Sequence, residues 1–260
     1  MIEHWWAGSG LSGVIAEEYP IVAKSGPTQR RRADAVAIID SASTQRAVTW
    51  REQSALAAKD TVVLQAKASP LCAPLAGQAI SSLWLVRRHR PASVRSILLC
   101  TADDPVLRPL VEGYGVEVVV MPEFAHGPFA RAADHDRVTA WHAGVGGTLW
   151  RNVALTKRPS ALRAHGLHTD HPDLGEKPPG SLDGLDVTVV TAVSRQPKGG
   201  TSFGMYAFGM ALLYRDLARQ RGAATVRSTI LTETTDPTIA ALCADFGIEV
   251  EEVVPDHPRS

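Results

Sequence analysis

The stretch Asp60-Thr-Val-Val-Leu-Gln-Ala-Lys-Ala-Ser69 decides the fold of this chain. Thr61 to Leu64 are β-branched or apolar, which is typical of a buried strand. The strand ends in Gln65 and Lys67, which point to the same face because residues i and i+2 of a strand do so. Burying an unpaired ammonium is costly. Lys67 therefore needs a water-lined cleft or an anionic partner, unless it is an edge-strand lysine that reaches solvent.

The composition is that of a globular protein without a net charge. The chain has 260 residues, 45% of them hydrophobic, and a formal net charge of zero, so it can form one large domain or two smaller ones. No global basic field favours nucleic-acid binding, although a local patch is compatible with it. There is no signal-peptide pattern and no apolar run of the roughly 18 residues that span a bilayer. We therefore expect a soluble, cytoplasmic protein with no membrane partner.

The pattern of the first half predicts the element order α-β-β-β-α-β, followed by α-β. A helix is expected over residues 7–18, stopped by Pro20, and a polar turn over residues 41–45 predicts a hairpin. The remaining elements are expected as strands over 33–40, 46–51, 60–67, 94–101 and 116–121, and as helices over 74–90 and 105–114.

An internal repeat divides the chain into two halves. Three pairs of segments share one offset of 132 residues: Val94–Leu99 with Val226–Leu231, Asp104-Pro105 with Asp236-Pro237, and Gly115–Val118 with Gly247–Val250. Asp60–Lys67 matches Asp186–Val193 once about six residues, 196–201, are treated as an insertion. We interpret the chain as a tandem duplication of one αβ unit, with domains at residues 1–130 and 131–260.

The two copies differ in one set of polar residues. The alignment places the following pairs opposite each other: Asp34 and His165, Gln65 and Thr191, Lys67 and Val193, Gln78 and Met210, Glu17 and Val153, Glu18 and Ala154. The second copy therefore resembles a scaffold without the chemistry. Its segment His165-Gly-Leu-His-Thr-Asp-His171 is interpreted as a polar loop rather than a metal site, because no cysteine or spaced Glu accompanies it.

The polar set of the first copy suits metal-assisted phosphodiester cleavage. Asp34, the Gln65 carbonyl and the Ala66 backbone carbonyl are oxygen ligands of the type that Mg²⁺ or Mn²⁺ prefers. Lys67 would assist the attacking water and offset charge on the phosphorane. Further candidate residues are Glu17 or Glu18 for a metal or its water, Gln78 for the phosphate, and Arg30–Arg32 with Arg87–Arg90 for the nucleic-acid backbone.

Residues 6–101 resemble the PD-(D/E)XK nuclease superfamily, which has the restriction-endonuclease-like fold. The resemblance lies in the helix at 7–18, in Arg32-Ala33-Asp34-Ala35-Val36, in Val62–Lys67, and in the helix that carries Gln78. Gln65 stands where this family usually has Glu or Asp, which removes one charge from the expected metal site. The resemblance implies a mixed central sheet flanked by helices, and the duplication leads us to expect that the two units form a pseudo-dimer.

Two functions remain open at this point. The first is a Mg²⁺-dependent nuclease that acts on DNA or RNA, with DNA favoured, and that has its active site in the N-terminal copy. The second is a catalytically silent module of the same fold that binds a protein, a nucleic acid or a second copy of itself. A doubly wound nucleotide-binding protein is disfavoured, because no strand leads into a Gly-x-Gly-x-x-Gly or Gly-Lys-Ser/Thr loop. Each polar residue also has a structural alternative, such as a strand-end ion pair for Asp34 or a solvated helix end for Glu17 and Glu18.

Overall fold

The chain forms two α/β units in a computed structural model that describes residues 1–53, 55–124, 135–156, 162–172, 174–175, 178–193 and 204–254. The units span Met1–Phe129 and Ala130–Ser260, and each contains a mixed sheet flanked by helices. This confirms the predicted α/β class. The predicted insertion at 196–201 lies outside the described residues. Within the described ranges, no helix is long and apolar enough to cross a membrane.

The first unit has six strands and three α-helices among its described residues. In chain order these are α1 Ile2–Gly8, β1 Gly13–Val22, β2 Arg31–Ile39, β3 Arg46–Val48, β4 Asp60–Ala66, α2 Ala73–Arg87, β5 Ser93–Cys100, α3 Leu107–Gly113 and β6 Val116–Val120. The strand order is β3-β1-β2-β4-β5-β6. Strand β2 is antiparallel to both β1 and β4, whereas β4, β5 and β6 run parallel.

The helix predicted over residues 7–18 is wrong. The helix ends at Gly8, and the next element is β1, which carries Glu17 and Glu18 on a strand. Glycines at 8, 10 and 13 weaken a helix, while Val14, Ile15 and Tyr19 favour a strand. Pro20 is tolerated because β3 pairs with β1 only over Val14–Ala16 in the described residues, which leaves Pro20 on an edge.

The predicted hairpin between β2 and the segment 46–51 is also wrong. Strand β3 covers only Arg46–Val48 and pairs with β1 in parallel. Both edges of β2 are already occupied by β1 and β4. Strand β3 therefore pairs with the edge of β1 that faces away from β2.

The core of the first unit lies on both faces of its sheet. One face holds a cluster that includes Trp6 of α1, Ile15, Ala35 and Leu64. The other face is covered by α2, most of whose residues are buried. Thr61 to Gln65 are all buried, as expected for a central strand that is covered on both faces.

The second unit repeats the arrangement of the first. Its elements are α4 His135–Val145, β7 Thr148–Ala154, β8 Arg163–Thr169, β9 Asp186–Ala192, α5 Met205–Gln220, β10 Thr225–Thr232, α6 Pro237–Asp245 and β11 Glu249–Glu252. The strand order is β7-β8-β9-β10-β11, with the same directions as β1-β2-β4-β5-β6. The polar loop predicted at 165–171 is wrong up to Thr169, because that part belongs to β8 and His168 is buried.

Equivalent hydrogen bonds occur at the offset of the sequence repeat. The Ser96 hydroxyl donates to the Ala79 carbonyl, and the Ser228 hydroxyl donates to the Ala211 carbonyl. Asp104 accepts from the N–H groups two and three residues ahead of it, and Asp236 does the same. The repeated positions therefore share contacts as well as sequence.

The structure corrects one part of the repeat alignment. Gly13 and Glu18 have positive φ angles of 128° and 50°, and the positions that match them are Gly147 and Asn152, at 75° and 52°. Glu18 is therefore the counterpart of Asn152, not of Ala154, and Glu17 is the counterpart of Arg151, not of Val153. The strand registers agree, because each unit lacks one ladder pair at this position.

Gly13 provides a test of the β1–β2 pairing, in which it lies opposite Ile39. A Cβ at Gly13 would overlap the carbonyl oxygen of Ile38, and φ is 128°, so Gly13→Ala should lower the free energy of unfolding by at least about 2 kcal/mol. Gly8→Ala is the matched control, since a Cβ there has no neighbour within 4 Å, and it should leave stability unchanged or slightly higher. Urea denaturation of the full chain measures both. Equal stability of the two variants would contradict the close approach of Gly13 to the Ile38 carbonyl.

Candidate active site of the first unit

Asp34 holds the end of the central strand in place. The β2–β4 ladder ends at the pair Ala35–Leu64, so the Ala66 N–H lies beyond the last paired residues. The Oδ2 atom of Asp34 accepts a hydrogen bond from that N–H at 2.8 Å. A half-buried backbone donor is thereby satisfied by a side chain instead of by the ladder.

Burial and nearby charged side chains alter the pKa of Asp34. Burial raises the pKa of its carboxyl above the ordinary value, and the hydrogen bond from Ala66 acts in the opposite direction. The negative charges of Glu18 and Glu17 raise this pKa further, while the positive charge of Lys67 lowers it. The structure therefore brings Glu17, Glu18 and Lys67 within electrostatic range of Asp34.

Glu18 lies directly opposite Asp34, at an irregular point of β1. The β1–β2 pairing includes Glu17–Ala35 and Tyr19–Ala33 but omits the position between them. Glu18 is exposed and pairs with Arg32 at 3.1 Å. An exposed ion pair of this kind contributes little to stability. Glu17 is also exposed, so both carboxylates are accessible to a ligand.

Gln65 is fixed by the helix that follows its strand. Its side chain is buried, with 2% of its surface exposed, and its Nε2 atom donates to Ser82 Oγ at 2.7 Å. This bond commits the amide nitrogen to α2 and leaves the carbonyl oxygen as the only group of Gln65 that could ligate a cation. Gln78 is half-buried on the same face of α2, one helical turn before Ser82.

Lys67 lies one residue beyond β4, in a tethered segment. Its N–H donates to the Leu99 carbonyl at 3.0 Å, which extends the β4–β5 ladder. Two further backbone bonds, from Thr101 to Ser69 and from Leu71 to Ala102, attach the following residues to the end of β5. The backbone of Lys67 is therefore well positioned, and its side chain is half-buried.

The second unit has the hydrogen bond that corresponds to Asp34–Ala66, but it lacks the charges of Asp34 and Lys67. Nδ1 of His165, the counterpart of Asp34, accepts a hydrogen bond from the Ala192 N–H at 3.0 Å. Thr191 replaces Gln65, and its buried hydroxyl has no hydrogen-bond partner among the described residues. Val193 replaces Lys67. The structural role of Asp34 can thus be performed by a residue that is not a carboxylate.

The donor set fits Mg²⁺ only in its water-rich mode of binding. Among the described residues, no group of three or more His, Cys, Asp or Glu side chains converges as a metal site would require. Mg²⁺, however, usually takes one or two protein carboxylates and completes its shell with water and substrate phosphate. Asp34 and the Gln65 carbonyl are oxygen donors on neighbouring strands, and the charges of Glu17 and Glu18 lie close by. The residues present are compatible with that mode.

Two of the arginines proposed for nucleic-acid binding have partners within the protein. Arg32 pairs with Glu18, and the guanidinium of Arg87 lies 4.4 Å from the ring centroid of Trp84.

Sequence reasoning did not identify Ser82 as the partner of Gln65. Its spacing from Gln78, four residues along one helix, was the available signal.

In comparisons with family models, with curated proteins and with solved structures, no match to this chain reached significance.

The titration of Asp34 can be tested by Asp34→Asn, which keeps an oxygen acceptor for the Ala66 N–H. Because the folded-state pKa of Asp34 is raised, protonation favours the folded state. This stabilisation is complete below about pH 4 and is lost as the pH rises through the folded-state pKa. The stability of the natural protein relative to Asp34→Asn should therefore fall as the pH rises from about 4 and then level off. Urea denaturation of both proteins across this range measures the effect, and a difference that rises with pH would contradict it.

Proposed function

We propose that the first unit is a metal-dependent nuclease that hydrolyses phosphodiester bonds of nucleic acid, DNA in preference to RNA. The observation that supports this most directly is the position of Asp34, half-buried on β2 beside the end of β4 and within electrostatic range of Glu17, Glu18 and Lys67. A carboxyl whose pKa is raised by burial and by like charges is a frequent feature of functional sites. A divalent cation would relieve the repulsion between these carboxylates.

We propose that each unit has the restriction-endonuclease-like fold and that the two units form a pseudo-dimer. We also propose that the protein is cytoplasmic. The order α1-β1-β2-β4-α2-β5, with antiparallel strands followed by a parallel pair, agrees with the element order of that family. In this proposal the second unit is the catalytically silent partner. A further protein partner or a second copy of the chain is compatible with it.

The polar residues would divide the chemistry among them. Asp34 and the Gln65 carbonyl, with Glu17 or Glu18, would hold Mg²⁺ or Mn²⁺, which supplies charge stabilisation and a more acidic bound water. Lys67 would offset the negative charge that develops on the phosphorane. Gln78 would donate a hydrogen bond to a phosphate oxygen, and Ser82 would keep the Gln65 amide in one orientation.

The comparison of the two units argues for a role beyond structure. His165 accepts the same backbone bond as Asp34, so the fold does not require a carboxylate at this position. A half-buried carboxylate among like charges costs stability when it is ionised. Its presence only in the unit that also has Gln65 and Lys67 favours a ligand that uses the charge.

A silent binding module is the second candidate, and one observation favours it. Three of the proposed site residues have partners within the protein: Asp34 binds the Ala66 N–H, Gln65 binds Ser82, and Glu18 binds Arg32. Side chains with such partners can maintain a fold without performing chemistry.

Cleavage of labelled single- and double-stranded DNA and RNA, in Mg²⁺, Mn²⁺ or EDTA, separates the two candidates. The natural protein should cut in metal and not in EDTA. Asp34→Asn and Lys67→Met should each reduce the cleavage rate by at least about 100-fold, because each removes a charge that acts on the transition state.

Lys59→Met is the matched control for Lys67→Met. Lys59 is an exposed lysine just before the opposite end of β4, and its substitution should leave the cleavage rate within about twofold. Circular dichroism would verify that all variants are folded. No metal-dependent cutting by the natural protein would reject the nuclease and favour the binding module.

A further inference from the structure

A cavity lies in the first unit, beside α1 and the edge of the sheet formed by β1 and β3. Its volume is about 670 Å³, which is within the usual range of small-molecule sites. It is lined by Ile2, Glu3, Trp6, Ile15, Glu17, Glu18 and the segment Ala47–Arg51. We call it the β3 pocket.

The walls of the β3 pocket are largely apolar and aromatic. Trp6 and Ile15 are buried and belong to the core, so this side of the pocket is preformed. Trp50 is half-buried, and the guanidinium of Arg51 lies 5.1 Å from its ring centroid. An aromatic ring and a planar guanidinium are the groups on which proteins stack unpaired bases.

The charged groups of the pocket are mainly acidic. Glu3, Glu17 and Glu18 contribute three carboxylates, against the single cation of Arg51. An ionised carboxylate only accepts hydrogen bonds, so the part of a ligand that enters must present N–H or O–H donors. Repulsion by the three carboxylates disfavours a phosphate or another anion in the interior.

We propose that the β3 pocket binds an unpaired nucleobase that carries an exocyclic amino group, as cytosine, adenine and guanine do. The base would lie against Trp50, and its amino group would donate to Glu17, because Glu18 is already paired with Arg32. Acceptance by Glu from an amino group such as N4 of cytosine is an established form of base recognition. Uracil and thymine present a carbonyl oxygen at that position and would face the carboxylates with a repulsive acceptor.

This inference rests on the proposed function, because it names the substrate group that lies next to the candidate catalytic residues. Glu17 and Glu18 both line the pocket and raise the pKa of Asp34. The pocket lies on the α1 face of the sheet, whereas Gln65 is fixed on the α2 face, so a base held there would reach the candidate site through Glu17 and Glu18. Strand β3 has no counterpart among the described strands of the second unit. The pocket that it helps to form is therefore found in the same unit as the candidate catalytic residues.

The test compares the binding of two single-stranded oligonucleotides, oligo(dC) and oligo(dU), which differ only at the base edge. Fluorescence anisotropy in EDTA measures affinity without cleavage, so loss of nuclease activity and loss of base recognition are distinguishable. Oligo(dC) should bind at least about 5-fold more tightly than oligo(dU), as one good side-chain contact to a base edge provides.

Three variants assign the preference to the pocket. Glu17→Gln should bring the ratio of the two affinities close to one, because the amide can donate to the uracil oxygen. Trp50→Leu should weaken both oligonucleotides by at least about 5-fold through lost stacking, and Trp50→Phe should restore most of that loss. Equal binding of oligo(dC) and oligo(dU) by the natural protein, or an unchanged ratio in Glu17→Gln, would overturn the proposal. So would displacement of oligo(dC) by an aliphatic amine such as spermidine with no difference between the oligonucleotides, which would identify a site for organic cations.

Discussion

The arrangement of both units depends on one interruption in the hydrogen-bond ladder of the sheet. Glu18 in β1 has a φ of 50°, a left-handed conformation that is costly for a residue with a side chain. It removes one pair from the ladder opposite Asp34, whose carboxylate accepts a backbone bond from Ala66 of β4 instead. Asn152, His165 and Ala192 repeat the same set of features. A polar acceptor at this position is therefore a requirement of the architecture in both units.

That requirement explains how a functional site can arise at this point of the sheet. A fold that must keep a polar side chain at the end of its central strands offers a fixed acceptor near the surface, beside a strand end that points toward solvent. The acceptor can be a carboxylate or an imidazole without loss of the backbone bond. The fold therefore accepts either an aspartate, as at Asp34, or a histidine, as at His165, and the two side chains differ in charge. Such a position is where chemistry can be gained or lost without a change of architecture.

The sequence was sufficient for the elements that have strong local signals, and insufficient where the signals conflict. The apolar run before Gln65 and the apolar helix after it predicted β4 and α2 correctly, because both are long and buried. The first strand was missed because its glycines and Pro20 resemble a helix boundary. The placement of β3 depends on which sheet edges other strands have already taken, which no local pattern contains. The candidates Gln65 and Lys67 were proposed from strand alternation, whereas Ser82 and the β3 pocket depend on tertiary packing.

The two units differ in how the buried polar side chain of the central strand is hydrogen-bonded, and this difference bears on the function. In the first unit the buried amide of Gln65 is satisfied by Ser82, so a polar pair is maintained within an otherwise apolar interface. In the second unit the counterparts are Thr191 and Tyr214, and the Thr191 hydroxyl has no partner among the residues described. A buried polar pair gains little stability over an apolar pair of the same shape. Stability alone therefore does not explain why the first unit keeps an amide in one orientation next to a carboxylate of raised pKa. The metal ion that we propose for this site would account for it, because it would use the amide oxygen and the charge of Asp34 together.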